Sequence, residues 1–121
     1  LLGAALALGA ATLVASPAMA QEQPAPRTIS GQVVDMTCYL NMGLKGADHK
    51  QCAELCAKAG LQLGILGSDG RLYLATDQGM PAPDVNPKLI PFAEEQVRVT
   101  GVVNERSGAR SIVIDRIEKA G

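Results

Sequence analysis

The chain has 121 residues, 11 basic against 12 acidic side chains, and a formal net charge of −1. That balance lacks the basic excess needed to displace counterions from a nucleic acid or to hold anionic lipid. Tyr39, Tyr73 and Phe92 are its only aromatic residues, too few for a base-stacking platform, so nucleic acid is not an expected partner.

The chain opens with LLGAALALGAATLVASPAMA, in which Leu1 to Ala15 are uncharged and rich in Leu, Ala and Gly. The run is shorter than the roughly 20 apolar residues a spanning helix needs, and it stops at Ser16-Pro17. Ala18-Met19-Ala20 supplies the small-x-small pattern of a signal-peptidase site. Residues 1–20 therefore read as a signal peptide whose start is truncated, which hides any twin-arginine motif, and the mature chain is expected to begin at Gln21. No cysteine stands at the start of the mature chain, so a lipid anchor is not expected. The expected location is periplasmic or secreted, with no membrane anchor after processing.

Residues 21–28, QEQPAPRT, form a polar, proline-rich leader, and 29–119 form one domain with one modest core. TISGQVVDM reads as the first strand, with Gly31 marking a bend or a close backbone approach. A helix is expected from Ala47 or Asp48 to Ala59, with Asp48 as N-cap and Gly60 closing the C-terminus in a left-handed conformation. LQLGIL and RLYLAT flank GSDG, a hairpin signal, and QVRVTGVVNE and SIVIDRIEK flank RSGA, a second one. Between the hairpins, DQGMPAPDVNPKLIPFAEE reads as a long connection, either functional, a mobile cover, or simply solvated. The fold class is mainly β: a small five-stranded, partly open barrel with one α-helix inserted after strand one. That order resembles an OB-fold, although the usual OB helix lies between strands three and four.

The chemistry concentrates in three cysteines and the single histidine. An odd cysteine count in an oxidising compartment leaves one disulfide with a spare thiol, three metal-bound thiolates, or a bond to a second chain. At about 100° per residue, Cys52 lies about 300° and Cys56 about 340° around the helix from His49. The three form one narrow stripe, expected on the face that packs against the sheet, with Leu55, Ala53 and Ala59 beside it. With Cys38 they make a Cys₃His set suited to one Cu(I) or Zn²⁺. A disulfide from Cys38 to Cys52 or Cys56 is the alternative, closing residues 39–51 or 39–55 and adding about 3 kcal/mol. Met36 and Met42 are read as gap-fillers or exposed residues rather than thioether ligands, and Asp35 as solvent-facing or a turn cap. Neither C-x-x-C nor a βαβ setting is present, so thiol redox catalysis ranks third and the protein is not expected to be an enzyme.

C-x₃-C with a histidine resembles the exported copper-delivery proteins of the Sco type, over that motif alone. The order G-x-V-x-D-x-x-C, H-x-x-C-x-x-x-C-x-x-x-G, DGRLYL and V-x-V-x-G resembles small exported bacterial OB-like domains of uncharacterised function, from Ile29 to Glu118. This second resemblance implies boundaries and a β-rich fold. The expectation is an exported metal-binding protein using Cys38, His49, Cys52 and Cys56, with an exported metalloprotein or a small ligand as partner. The alternative is a non-enzymatic OB-like module stapled by a Cys38 disulfide.

Overall fold

The computed structural model describes residues 2–17 and 24–121. Residues 2–17 carry no helix or strand and are exposed. The expected cleavage point after Ala20 lies outside the described residues. Among the described residues no helix is long and apolar enough to cross a membrane.

The rest is mainly β. Five strands, β1 (Arg27–Asp35), β2 (Leu63–Gly67), β3 (Leu72–Thr76), β4 (Gln96–Arg106) and β5 (Ala109–Lys119), are hydrogen-bonded in a ring of order β1-β2-β3-β5-β4, with β4 returning to β1. Every pairing is antiparallel except β3 with β5. That parallel seam is short, running from Leu74–Ser111 to Thr76–Val113.

Both expected hairpins form for local reasons. Gly70 takes φ +78°, and Asp69 Oδ1 accepts from Arg71 N at 2.9 Å across the β2–β3 turn. Ser107 and Gly108, at φ +52° and +80°, form the two-residue turn of β4–β5, where positive φ at both positions matches the twist of the strands. Gly31 confirms the close approach. It pairs with Gly67 on one side and Val97 on the other, at the point where β1 changes partners, and a Cβ there would collide with the Leu66 carbonyl.

The ring encloses Val33, Ile65, Tyr73, Val97, Val99 and Ile112, all 1% exposed or less. Val97 and Val99 share this core with Ile112 and Ile114, as strand alternation requires.

The helical complement is larger than the single helix read from the sequence. Between β1 and β2 lie α1 (Met36–Met42), a 3-10 turn at Ala47–His49, and α2 (Lys50–Lys58). Asp48 does not cap α2; the 3-10 turn precedes it, and His49 occupies the cap position without a side-chain hydrogen bond to the helix amides. Gly60 does close α2 as expected, at φ +97°, with Leu61 N donating to Cys56 O.

The stretch 77–95 is neither a solvated connection nor a mobile cover alone. It contains α3 (Asn86–Leu89) and a 3-10 turn at Ile90–Phe92, and it buries Val85, Leu89 and Ala93 against the ring. Asn86, itself buried, accepts from Leu63 N and donates to the carbonyls of Ala57 and Leu61. One amide side chain thus ties the end of α2 to the start of β2.

Candidate metal centre

β1 ends at Asp35, and the chain turns directly into α1. Asp35 is the N-cap of that helix: Oδ1 accepts from Cys38 N at 3.0 Å. An N-cap carboxylate satisfies the amides two or three positions on, so the D-x-x-C spacing sets the thiol-bearing residue beneath the carboxylate. Gly43, at φ +68°, closes the helix by donating to Tyr39 O, and Leu44 donates to Cys38 O. The sequence reading treated Asp35 as solvent-facing or a cap. It is a cap, but it is fully buried.

α2 lies against this corner. Its buried residues are Ala53 and Ala57, whose small side chains let the helix approach the ring closely. The turn that packs these alanines inward rolls the expected stripe outward. Cys56 is half-buried, whereas Cys52 and Leu55 are exposed. The expectation that all the thiols face the sheet therefore fails for Cys52. A hydrophobicity-guided reading placed Leu55 inward; close packing favours alanine.

A ligating atom from each of Asp35, Cys38 and Cys56 lies within 4.8 Å of the other two. All three cysteines are free thiols. Asp35 Oδ2 is buried without a hydrogen-bond partner. Burial, followed by the neighbouring Asp35 charge, raises the Cys38 pKa. The Cys56 thiol is pushed up to about 11, first by burial, then by Asp35 and Cys52. Low-dielectric surroundings and a nearby anion both disfavour a thiolate, so without a cation the pair stays protonated at neutral pH.

Of the four residues expected to share a metal, the structure brings Cys38 and Cys56 together and adds Asp35. Cys52 neighbours Cys56 closely enough to raise its pKa but lies outside the 4.8 Å set. His49 belongs to a different cluster. Its Nδ1 is 3.0 Å from Glu94 Oε1, and Glu94 Oε2 accepts from Gly46 N at 2.7 Å and Gln32 Nε2 at 3.2 Å. The other ring nitrogen, Nε2, is buried without a partner. Glu94 itself adopts φ +60°, a conformation that costs a non-glycine residue about 1 kcal/mol or more.

Sequence reasoning missed Asp35 as a member of the cluster and α1 as a helix. The signal was present: Asp at the cap and Gly43 seven residues beyond Met36, bracketing a short helix.

A scan against protein-family models, a search of curated proteins and a search of solved structures each return no match to this chain.

Proposed function

We propose that this chain is a small exported protein that binds one Cu(I) or Zn²⁺ ion through Cys38, Cys56 and Asp35, without a catalytic role. The observation that carries this reading is the convergence of two thiols on a fully buried carboxylate whose Oδ2 has no hydrogen-bond partner. A buried, unpaired carboxylate is destabilising by several kcal/mol. A cation would neutralise it and draw the two thiols into their ionised form. Sulfur donors select Cu(I) and Zn²⁺ over Mg²⁺ or Ca²⁺. Two thiolates suffice for Cu(I), while two thiolates and a carboxylate leave Zn²⁺ one tetrahedral position for water or a further ligand. The raised pKa values of Cys38 and Cys56 argue against a redox role for these two thiols, since a redox-active cysteine needs a lowered one. The ring order, together with α3 between β3 and β4, supports reading the scaffold as OB-like.

The test is native and denaturing mass measurement of reduced protein supplied with one equivalent of either ion. One bound ion is expected, and it should be lost in both Cys38→Ser and Cys56→Ser. Reduced protein that holds neither ion would overturn the proposal.

The alternative is a binding module stapled by a Cys38–Cys56 disulfide. It is favoured by the same proximity of the sulfurs and by an apolar cleft of about 490 Å³ floored by Leu72 and Leu74 beside Arg106 and Arg110. A mass deficit of two hydrogen atoms in the denatured, unreduced protein would favour it.

A further inference from the structure

The three thiols stand at graded depth. Cys52 is exposed, Cys56 is half-buried, Cys38 is buried, and Asp35 behind them has no exposure at all. Cys52 and Cys56 are four residues apart on α2, so their side chains share one face about one turn apart. Cys52 is electrostatically coupled to both inner thiols, yet its sulfur is not part of the set that converges within 4.8 Å. A resident ligand would close on the other donors. An exposed thiol beside them, within one helical turn, is instead placed to meet an ion arriving from outside.

We propose that Cys52 is the exchange ligand of the site: the residue that accepts the ion from a thiol-bearing donor and passes it to Cys56 and Cys38. This rests on the metal-binding reading above. In the first step a donor thiolate–metal bond breaks as a Cys52 sulfur–metal bond forms. The Cys52 proton passes to the departing donor thiolate, and the ion keeps its charge. In the second step bonds to Cys56 and Cys38 form as the bond to Cys52 breaks; one of their protons returns to Cys52 and the other goes to solvent. No electron is transferred, so no oxidant is required. The buried Asp35 carboxylate favours the inward step for a cation, because its negative charge lies beside the inner thiols and Oδ2 lacks a hydrogen bond of good geometry. Cys38 is buried and Cys56 only half-exposed, so Cys52 is the thiol that a donor reaches first. Cys52 therefore governs how fast the ion moves, while Cys38, Cys56 and Asp35 govern how tightly it is held.

The experiment separates rate from affinity. The ion, Zn²⁺ or Cu(I), is presented on a chromophoric chelator with glutathione present as the thiol donor, and transfer to reduced full-length protein is followed by stopped-flow absorbance. The final absorbance of the same reaction reports the equilibrium. Cys52→Ser, at an exposed position, should still take up one ion with nearly parental affinity, but its loading should slow by about tenfold or more. Equal rates for parent and variant would overturn the exchange role while leaving the metal site intact. Loss of affinity in step with rate would also overturn it, making Cys52 a resident ligand. If the parent protein takes up no ion, the metal-binding reading fails and the exchange role fails with it.

Discussion

The interior of the ring and the corner beneath α1 and α2 are built on opposite terms. Inside the ring, Val33, Ile65, Val97, Val99 and Ile112 are fully buried, and the only large polar tip, the Tyr73 hydroxyl, donates to Asp69 Oδ2 at 2.9 Å. At the helical corner, Asp35 Oδ2 and His49 Nε2 are buried with nothing to bond. Two other buried polar atoms lack a hydrogen bond of good geometry, Glu95 Oε2 and Arg110 Nε, but they lie 3.1 Å from Lys119 Nζ and 3.2 Å from Glu105 Oε2. Among the described residues, the buried polar side-chain atoms with neither a hydrogen bond of good geometry nor an ion-pair partner are therefore confined to the helices and their flanks. The fold thus satisfies its buried polar groups in the ring and leaves these two open at the corner, where the proposed metal site lies.

That contrast can be broken from either side. The largest effect is expected in the ring. Val99→Asp buries a carboxylate beside Ile29 and Ile117, its pairing partners on β1 and β5. The cost of several kcal/mol is comparable to the whole stability of a domain this size, about 5–15 kcal/mol. Loss of the cooperative thermal transition is expected; an unchanged midpoint would remove Val99 from the core. At the corner, Asp35→Asn keeps an oxygen to cap α1 but removes the unpartnered charge. The metal-free midpoint should hold or rise, while affinity for Zn²⁺ or Cu(I) falls about tenfold or more. A fall in midpoint with affinity intact would make Asp35 structural only.

Two smaller effects sharpen the comparison. Cys56 has a folded-state pKa of about 11 against an ordinary 9.0. Because the folded value is raised, its contribution to stability is complete below pH 9 and disappears as pH climbs toward about 11. The melting midpoint of metal-free protein should therefore decline across that window, and decline less in Cys56→Ser. Smallest is Tyr73→Phe, which removes one hydrogen bond worth about 1 kcal/mol. Asp69 is held below the usual carboxylate range by Arg71 N first and then by Tyr73. The variant should bring it partway back, as an NMR titration would read. Since a lowered carboxylate pKa stabilises at pH above its unfolded value and is lost on acidification, the parent's advantage over Tyr73→Phe should narrow toward low pH.

The ring was legible because its signals are local. Alternation at Val97 and Val99, Asp69-Gly70, and Ser107-Gly108 each specify a strand or turn within a few residues. The corner was only half legible. Spacing placed His49, Cys52 and Cys56 on one stripe of a helix, but not which way the helix rolls; Ala53 and Ala57 decide that by close packing. His49 was drawn away by Glu94, a partner 45 positions later in the chain, which no helical periodicity reveals. Asp35 was read as a strand-end residue because its burial depends on α1 folding back over β1, a tertiary event. The long stretch before β4 looked like a loop because its prolines mask a buried turn anchored by Asn86 and Leu89.

The central claim is that two sulfurs and one carboxylate oxygen hold a single ion, with the imidazole engaged elsewhere. X-ray absorption at the zinc edge of singly loaded, reduced protein tests it directly. The account predicts two sulfur scatterers at about 2.3 Å and oxygen at about 2.0–2.2 Å, without the outer-shell pattern of a bound imidazole, and the same spectrum from His49→Ala. Three sulfurs with imidazole, lost in His49→Ala, would contradict it.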